Sequence, residues 1–357
     1  MVNHGLLLDL VERLAATPVG STVELDVSAS AAGGAAASDA SSATSATAAS
    51  RAEEAAANID LIARWCRASG NELAEVRAES VVVRHGRRRD PLALLDPSQL
   101  PGTRLWMYTN FDCNLRCDYC CVSSSPQTDR RALGVDRVAR LADEAADAGV
   151  QELILTGGEP FLLPDIDEVV ASCTTRLPTT LLTNGMLFRG GRLERLRRMD
   201  RDRLTLQISL DSATPELHDA HRGPRAWERA VGGIRLALDE GFDVKVAATL
   251  PADQAHEVAP FTQFLGGLGI RPENRVIRAI AHEGAADSGV ELTVDSLIPE
   301  VTVTAEGVWW HPVAATDESH FVRAEIFPLA DAIADVRERF IRHREAADRA
   351  AEWFPCS

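Results

Sequence analysis

Apolar positions along this chain follow two alternating periods. Short apolar runs occupy Arg104–Thr109, Glu152–Thr156, Thr179–Thr183, Leu204–Leu210, Val244–Leu250 and Arg275–Ile280, and their lengths predict strands. Between them lie stretches of helical spacing: Val135–Ala148, Ile166–Thr174, Leu193–Met199, Trp227–Asp239 and Glu257–Leu268. In the first of these, Val135, Val138, Leu141 and Ala145 share one face. Gly149 and Gly241 stand where helices are expected to end. Alternation of this kind predicts an α/β core of parallel strand–helix units. In such cores the chemistry gathers at the C-terminal ends of the strands.

The pattern changes on either side. Residues 1–90 predict a helix over Leu6–Leu14, a strand over Thr22–Val27, a helix over Ile59–Arg67, and strands over Leu73–Glu79 and Val81–His85. The Ala, Ser, Thr and Gly of residues 28–50 bury too little apolar surface to offset ordering and read as a disordered insertion. The basic run Arg84–Arg89 reads as a solvated edge, and residues 91–103 as a linker. After the core at 104–281, residues 282–357 predict a hairpin turning at Ala305–Gly307 and a helix from Leu329 to Phe340.

The candidate chemistry lies just beyond the first core strand. Cys113, Cys117 and Cys120 form a CxxxCxxC run. Thiolates are the soft ligands that iron–sulfur clusters take, and three can hold three irons of a cubane. Cys121 directly follows Cys120, and adjacent side chains are expected to diverge, which leaves the fourth iron open. Zinc is the competing reading, although its motifs normally supply four ligands. A chance cluster is another. A disulfide framework conflicts with a long chain that shows no signal peptide.

Further runs follow in order: Gly157-Gly158-Glu159-Pro160, Thr183-Asn184-Gly185, Ser209-Leu210-Asp211-Ser212, His218-Asp219 and His221-Arg222-Gly223. From Arg104 to Ile280 the set resembles the radical S-adenosylmethionine (SAM) superfamily, in the branch that includes MoaA and the peptide-modifying and sulfatase-maturing enzymes. The resemblance implies a partial (β/α)6 barrel, one [4Fe–4S] cluster on Cys113, Cys117 and Cys120, and SAM on the open iron. It implies reductive cleavage of SAM to a 5′-deoxyadenosyl radical that abstracts hydrogen from a substrate. It places Gly157 and Gly158 against the methionine moiety, Glu159 at the SAM ammonium, and Asn184, Ser209 and Asp211 around SAM. Arg222 becomes a candidate clamp for the SAM carboxylate, and Tyr119 lies against the adenine. Plain packing for Tyr119, a surface carboxylate for Glu159 and a helix N-cap for Asp211 remain open.

The N-terminal α+β unit resembles the small sulfur-carrier domain of the TusA type. That family carries persulfide on a Cys-Pro dipeptide near the position of Asn3, where this chain has no Cys, and its first strand is absent here. A start placed downstream of the true one, or a domain that docks a partner without carrying sulfur, would account for both. Cys66, in an apolar helix, reads as structural. Relatives with SPASM or twitch extensions carry auxiliary clusters where this chain has its C-terminal hairpin and helix. Only Cys356 remains there, so a degenerate twitch-like extension without a second cluster is expected. His311, Asp317 and His320 could mark a substrate pocket or a metal site, although a His beside the Trp309-Trp310 pair more often reads as a packed residue.

Composition narrows the partners. The chain has 357 residues, 45% of them hydrophobic, and a net charge of −16. That charge weighs against nucleic acid, and no apolar run reaches membrane-span length. A cytoplasmic, bacterial enzyme is expected, served by a flavodoxin or ferredoxin-type electron donor. Its substrate is expected to be a small molecule or cofactor, with C–S or C–C bond formation among the outcomes. A peptide maturase is the alternative, and a non-catalytic iron–sulfur protein the alternative of another class.

Overall fold

The computed structural model describes residues 4–28, 48–86 and 91–353. The chain divides into one unit of residues 1–94 with 341–357 and another of residues 95–340.

In the first unit, α1 (His4–Ala15), β1 (Thr22–Asp26), α2 (Ala48–Ser69), β2 (Glu72–Val76) and β3 (Ser80–Arg84) follow the predicted order. The strands form an antiparallel sheet in the order β1-β3-β2. Leu6, Leu10 and Leu14 of α1 and Ile62 and Cys66 of α2 share a core with Val23, Leu25, Val81 and Val83. Asn58 Nδ2 donates to Val27 O at 3.0 Å, which ties α2 to the end of β1. Helix α2 is longer than expected, because the residues before Ile59 are good helix formers such as Ala and Glu. Residues 29–47 of the expected insertion, Arg87–Arg89 and Cys356 lie outside the described residues. The end of that insertion, from Ala48, is helical.

The second unit contains β4 (Arg104–Tyr108), β5 (Glu152–Thr156), β6 (Thr179–Thr183), β7 (Leu204–Ser209), β8 (Asp243–Leu250) and β9 (Arg275–Ala279). They pair in parallel and in chain order. Helices α3 (Val135–Asp147), α4 (Ile166–Thr174), α5 (Gly191–Arg198), α6 (Pro215–Arg222), α7 (Ala226–Asp239) and α8 (Val258–Gly267) occupy the crossovers. This is the expected partial (β/α)6 barrel, with α6 as an unforeseen addition. Residues 91–103 hold short 3-10 turns at Pro91–Leu94 and Pro97–Gln99.

Burial along the strands shows how the barrel is covered. Strands β4 to β7 are buried on nearly every residue, as parallel strands between helices and a filled interior must be. Strand β8 alternates, and the second half of β9 is exposed. The barrel is therefore closed at β4–β7 and open at β9.

On the other side of β4 the C-terminal segment extends the sheet. The predicted hairpin is present as β10 (Thr302–Val303) and β11 (Val308–Trp309), closed by Thr304 N donating to Gly307 O at 2.9 Å. Strand β10 also pairs in parallel with β4, and β12 (Phe321–Arg323) pairs with β11. Helix α9 runs over Leu329–Trp353, past the expected end.

The asymmetry is testable by paired truncations. Leu155→Ala, at a fully buried position of β5, should cost about 2–5 kcal/mol in urea unfolding. Ile277→Ala, on β9 and 36% exposed, should cost less than about 1 kcal/mol. Equal losses would mean that β9 is covered as fully as β5.

Candidate functional site

The site begins where β4 ends. Beyond Tyr108 the chain enters the loop that carries the cysteines, and its first residues stay paired with the segment after β5. Thr109 N donates to Thr156 O at 2.8 Å, Gly158 N to Asn110 O at 3.0 Å, and Glu159 N to Asp112 O at 3.0 Å. Buried Asn110 closes the clasp, its Nδ2 donating to Asp112 O at 2.9 Å and to Glu159 O at 3.1 Å. A Cβ on Gly157 would stand 2.4 Å from Asn110 Oδ1, and one on Gly158 2.2 Å from Asp112 O. The glycines were expected to clear room for a bound methionine. Both do line the cavity, but what forbids a side chain here is the cysteine loop itself.

The cysteine loop is further tied by Cys113 N to Ser125 O at 3.1 Å and by Ser123 N to Cys120 O at 3.0 Å. Two sulfurs accept backbone N–H groups: Cys113 Sγ from Leu115 at 3.4 Å and Cys120 Sγ from Ser124 at 3.2 Å. Burial pushes the Cys113 thiol up to about 12 and the Cys117 thiol up to about 11. Such thiols hold their protons at neutral pH until a metal displaces them. Cys113, Cys117 and Cys120 line one cavity of about 1040 Å³, a volume that takes in its open mouth. Among the described residues no three His, Cys, Asp or Glu converge on a single ion. Zinc ligands must converge in that way, whereas a cubane spreads its thiolates over separate irons.

Cys121 was expected to turn away, yet it lines the same cavity. The residue packs beside Tyr108 and Phe111, and burial pushes its thiol up to about 12. The loop after β9 reaches the cysteines as well. Ala285 N donates to Cys120 O at 2.9 Å, and a Cβ on Gly284 would stand 2.4 Å from that oxygen. Asn110 and Gly284 were missed in the sequence. The first has no local signature, and the second lies in a run of small residues that reads as ordinary loop.

Glu159 and Asp211 were expected to touch SAM. Both are buried and neither lines the cavity. Glu159 Oε1 accepts from Phe161 N at 3.0 Å and Thr183 Oγ1 at 2.7 Å, and Oε2 accepts from Asn184 N at 2.8 Å. Its carboxylate joins the ends of β5 and β6. Burial raises its pKa, against the lowering effect of those donors.

Asp211 does not cap a helix either. It receives Arg222 Nε at 2.6 Å and Nη2 at 3.2 Å, Tyr119 Oη at 2.5 Å and Thr249 N at 3.1 Å. Burial opposes its charge, but Arg222 and His218 outweigh burial and hold the carboxyl below the usual range. Asp211 thereby fixes Arg222 and Tyr119, which do line the cavity with Asn184 and Ser209. Asn184 Nδ2 donates to Asn114 Oδ1 at 2.9 Å, from β6 across to the cysteine loop.

A family profile described as the Radical SAM superfamily matches residues 107–264. Residues 107–264 form a radical SAM domain. The "AdoMet-dependent heme synthase" of Methanosarcina barkeri is 33% identical over 159 residues, which cover 44% of this chain and 45% of that protein. The "Antilisterial bacteriocin subtilosin biosynthesis protein AlbA" of Bacillus subtilis is 33% identical over 164 residues, 44% of this chain and 36% of that protein. "Molybdenum cofactor biosynthesis protein 1" of Drosophila melanogaster is 35% identical over 159 residues, 43% of this chain and 27% of that protein. The chain thus spans less than half the length of these relatives. The structure titled "Native anSMEcpe with bound AdoMet and Cp18Cys peptide" shares the fold, with a TM-score of 0.52 at 12% identity, over 67% of this chain and 82% of that one. The radical SAM family uses a [4Fe–4S] cluster and SAM. The thiols, supported by backbone N–H groups on one cavity, fit such a cluster, and the polar wall beside them fits SAM.

Two substitutions test this architecture. Gly158→Ala should roughly halve the iron retained after reconstitution, or worse, because the clasp must open. Asp211→Asn should cost about 3 kcal/mol at neutral pH by leaving Arg222 buried without its counter-charge. Because the folded carboxyl titrates below the unfolded one, that gap should be full above about pH 4 and shrink as pH falls further. Urea unfolding of metal-free parent and variant at several pH values reads it, and a gap independent of pH would locate the effect elsewhere than the carboxylate.

Proposed function

We propose that the chain is a radical SAM enzyme acting on a small-molecule or cofactor-type substrate. The observation that carries this reading is the convergence on one cavity of the cysteine triplet, the Gly157-Gly158 backbone, Asn184, Ser209 and Arg222. When bound, the cluster and SAM supply one-electron chemistry that ends in hydrogen abstraction from an unactivated C–H bond. Cys113, Cys117 and Cys120 would hold the cluster. Arg222, oriented by Asp211, presents a guanidinium to the SAM carboxylate. Tyr119, fixed by the same carboxylate, offers its ring to the adenine. Ser209 brings a hydroxyl, and Glu159 acts from behind the wall by holding Thr183 and Asn184 in place. A flavodoxin or ferredoxin-type protein supplies the electron.

The reading extends to one cluster only, since the hairpin and α9 contain no cysteine among the described residues. In the N-terminal unit the one described thiol, Cys66, is buried and pushed up to about 12. A docking role for that unit fits better than sulfur transfer. Its location in the cytoplasm belongs to the same proposal, and no described helix is long and apolar enough to cross a membrane. A peptide maturase is the second reading, favoured by the likeness to a bacteriocin biosynthesis protein.

Anaerobic reconstitution should yield about four irons per chain and 5′-deoxyadenosine from SAM and a reductant. The triple variant Cys113→Ala, Cys117→Ala, Cys120→Ala should give neither. Iron near eight per chain would refute the single cluster. A full cluster that binds SAM without cleaving it, with candidate substrates present, would point to the non-catalytic reading.

A further inference from the structure

The cavity has two walls of different character. The wall assigned to SAM runs from the cysteine loop across β5, β6 and β7 to Arg222. The opposite wall is built from Arg278 and Ala279 at the end of β9, with Ala281, Val313 and Tyr108. Its polar groups are the Arg278 guanidinium and the Tyr108 hydroxyl, and the hydroxyl already donates to Pro312 O at 2.7 Å. Arg278 is exposed at the open side of the barrel, yet the cavity wall desolvates its guanidinium enough to lower its pKa, and its side chain makes no hydrogen bond or ion pair among the described residues. The other guanidinium of the cavity, Arg222, is held by Asp211 on the wall assigned to SAM.

Among the described residues no side chain pairs with this charge, although Glu300 and the Cys121 thiol act on it through space. Glu300 acts on Arg278 from a distance but is held by Arg104 Nη2 at 2.5 Å and by Trp106 Nε1. His311 also feels Arg278 and Arg104. Its burial, first of all, then His320 and those two charges bring its pKa down to about 4, so it adds neither positive nor negative charge at neutral pH. One guanidinium thus remains to be matched beside an apolar surface.

We infer that Arg278 binds a carboxylate of the substrate, whose apolar part lies against Ala279, Ala281 and Val313. A guanidinium fits a carboxylate through two parallel hydrogen bonds and matches its single negative charge. A phosphate dianion would keep one charge unanswered on a wall that offers no second unpaired cation among the described residues. The inference rests on the radical SAM reading, because SAM is what occupies the other wall.

The test uses the reconstituted, SAM-loaded protein and phenylglyoxal, which modifies free guanidinium groups, with Arg278 followed by peptide mass spectrometry. Hexanoate is the probe, hexanamide its uncharged counterpart and inorganic phosphate the competing anion. Arg278 should react readily, and hexanoate should slow that reaction by about fivefold or more while the other two leave it unchanged. By calorimetry, Arg278→Gln should weaken hexanoate binding about tenfold, with iron content and melting temperature as the checks on folding. Equal protection by hexanamide would remove charge recognition. Equal or better protection by phosphate would remove the choice of carboxylate. Shielding by SAM alone, against SAM-free protein, would make Arg278 a cofactor clamp. An Arg278 that never reacts, or a variant that binds hexanoate as well as the parent, overturns the inference too. Iron and deoxyadenosine are measured on the same preparation. If they fail, the radical SAM reading falls and takes this inference with it. If they hold and hexanoate gives no protection, Arg278 alone has been misassigned.

Discussion

The site depends on one close approach, that of the backbone at Asn110–Asp112 to the backbone at Gly157–Glu159. The ladder between β4 and β5 continues past both strands, so the cysteine loop leaves the barrel already paired. A single methyl group on either glycine would overlap backbone or Asn110 atoms. Such contacts leave no room for relaxation, because the obstacle is main chain and not the end of a flexible side chain. The cysteines are thus positioned by the rigid part of the fold, as a site that must hold a reactive group in register requires.

Around that clasp, buried carboxylates act as joints. Glu159 gathers Phe161, Thr183 and Asn184 from two strand ends. Asp211 gathers Arg222, Tyr119 and Thr249 from three elements. Burying a carboxylate is costly unless donors surround it, and both are surrounded. Neither needs to touch a ligand to matter, because each orients side chains that reach the cavity. Opening the barrel at β9 then gives the site its second wall, where Arg278 stands beside Ala279, Ala281 and Val313.

Much of this was legible in the chain. The parallel strands from Arg104 to Ile280 were visible because strand and helix periods differ and Gly or Pro marks the changes. The cysteine motif was visible because its three thiols come from one loop, and all three line one cavity. Helix α6 was missed because Pro215–Arg222 is short and carries little apolar pattern. Asn110 and Gly284 were missed because their importance lies in neighbours far along the chain.

By itself, then, the sequence determined the α/β class of the core, the positions of its strands and the run that makes Cys113, Cys117 and Cys120 candidate ligands, all of which rest on local periodicity and spacing. Tertiary structure alone decided that Glu159 and Asp211 stand behind the wall, that Cys121 lines the cavity and that Arg278 has no hydrogen bond or ion pair among the described residues. The physical reason is that hydrogen bonding and burial are properties of the neighbours a fold brings together. Asp211 and Arg222 are eleven residues apart in the chain, but the burial that makes their pairing necessary comes from β8 and the cysteine loop, and no local pattern records it.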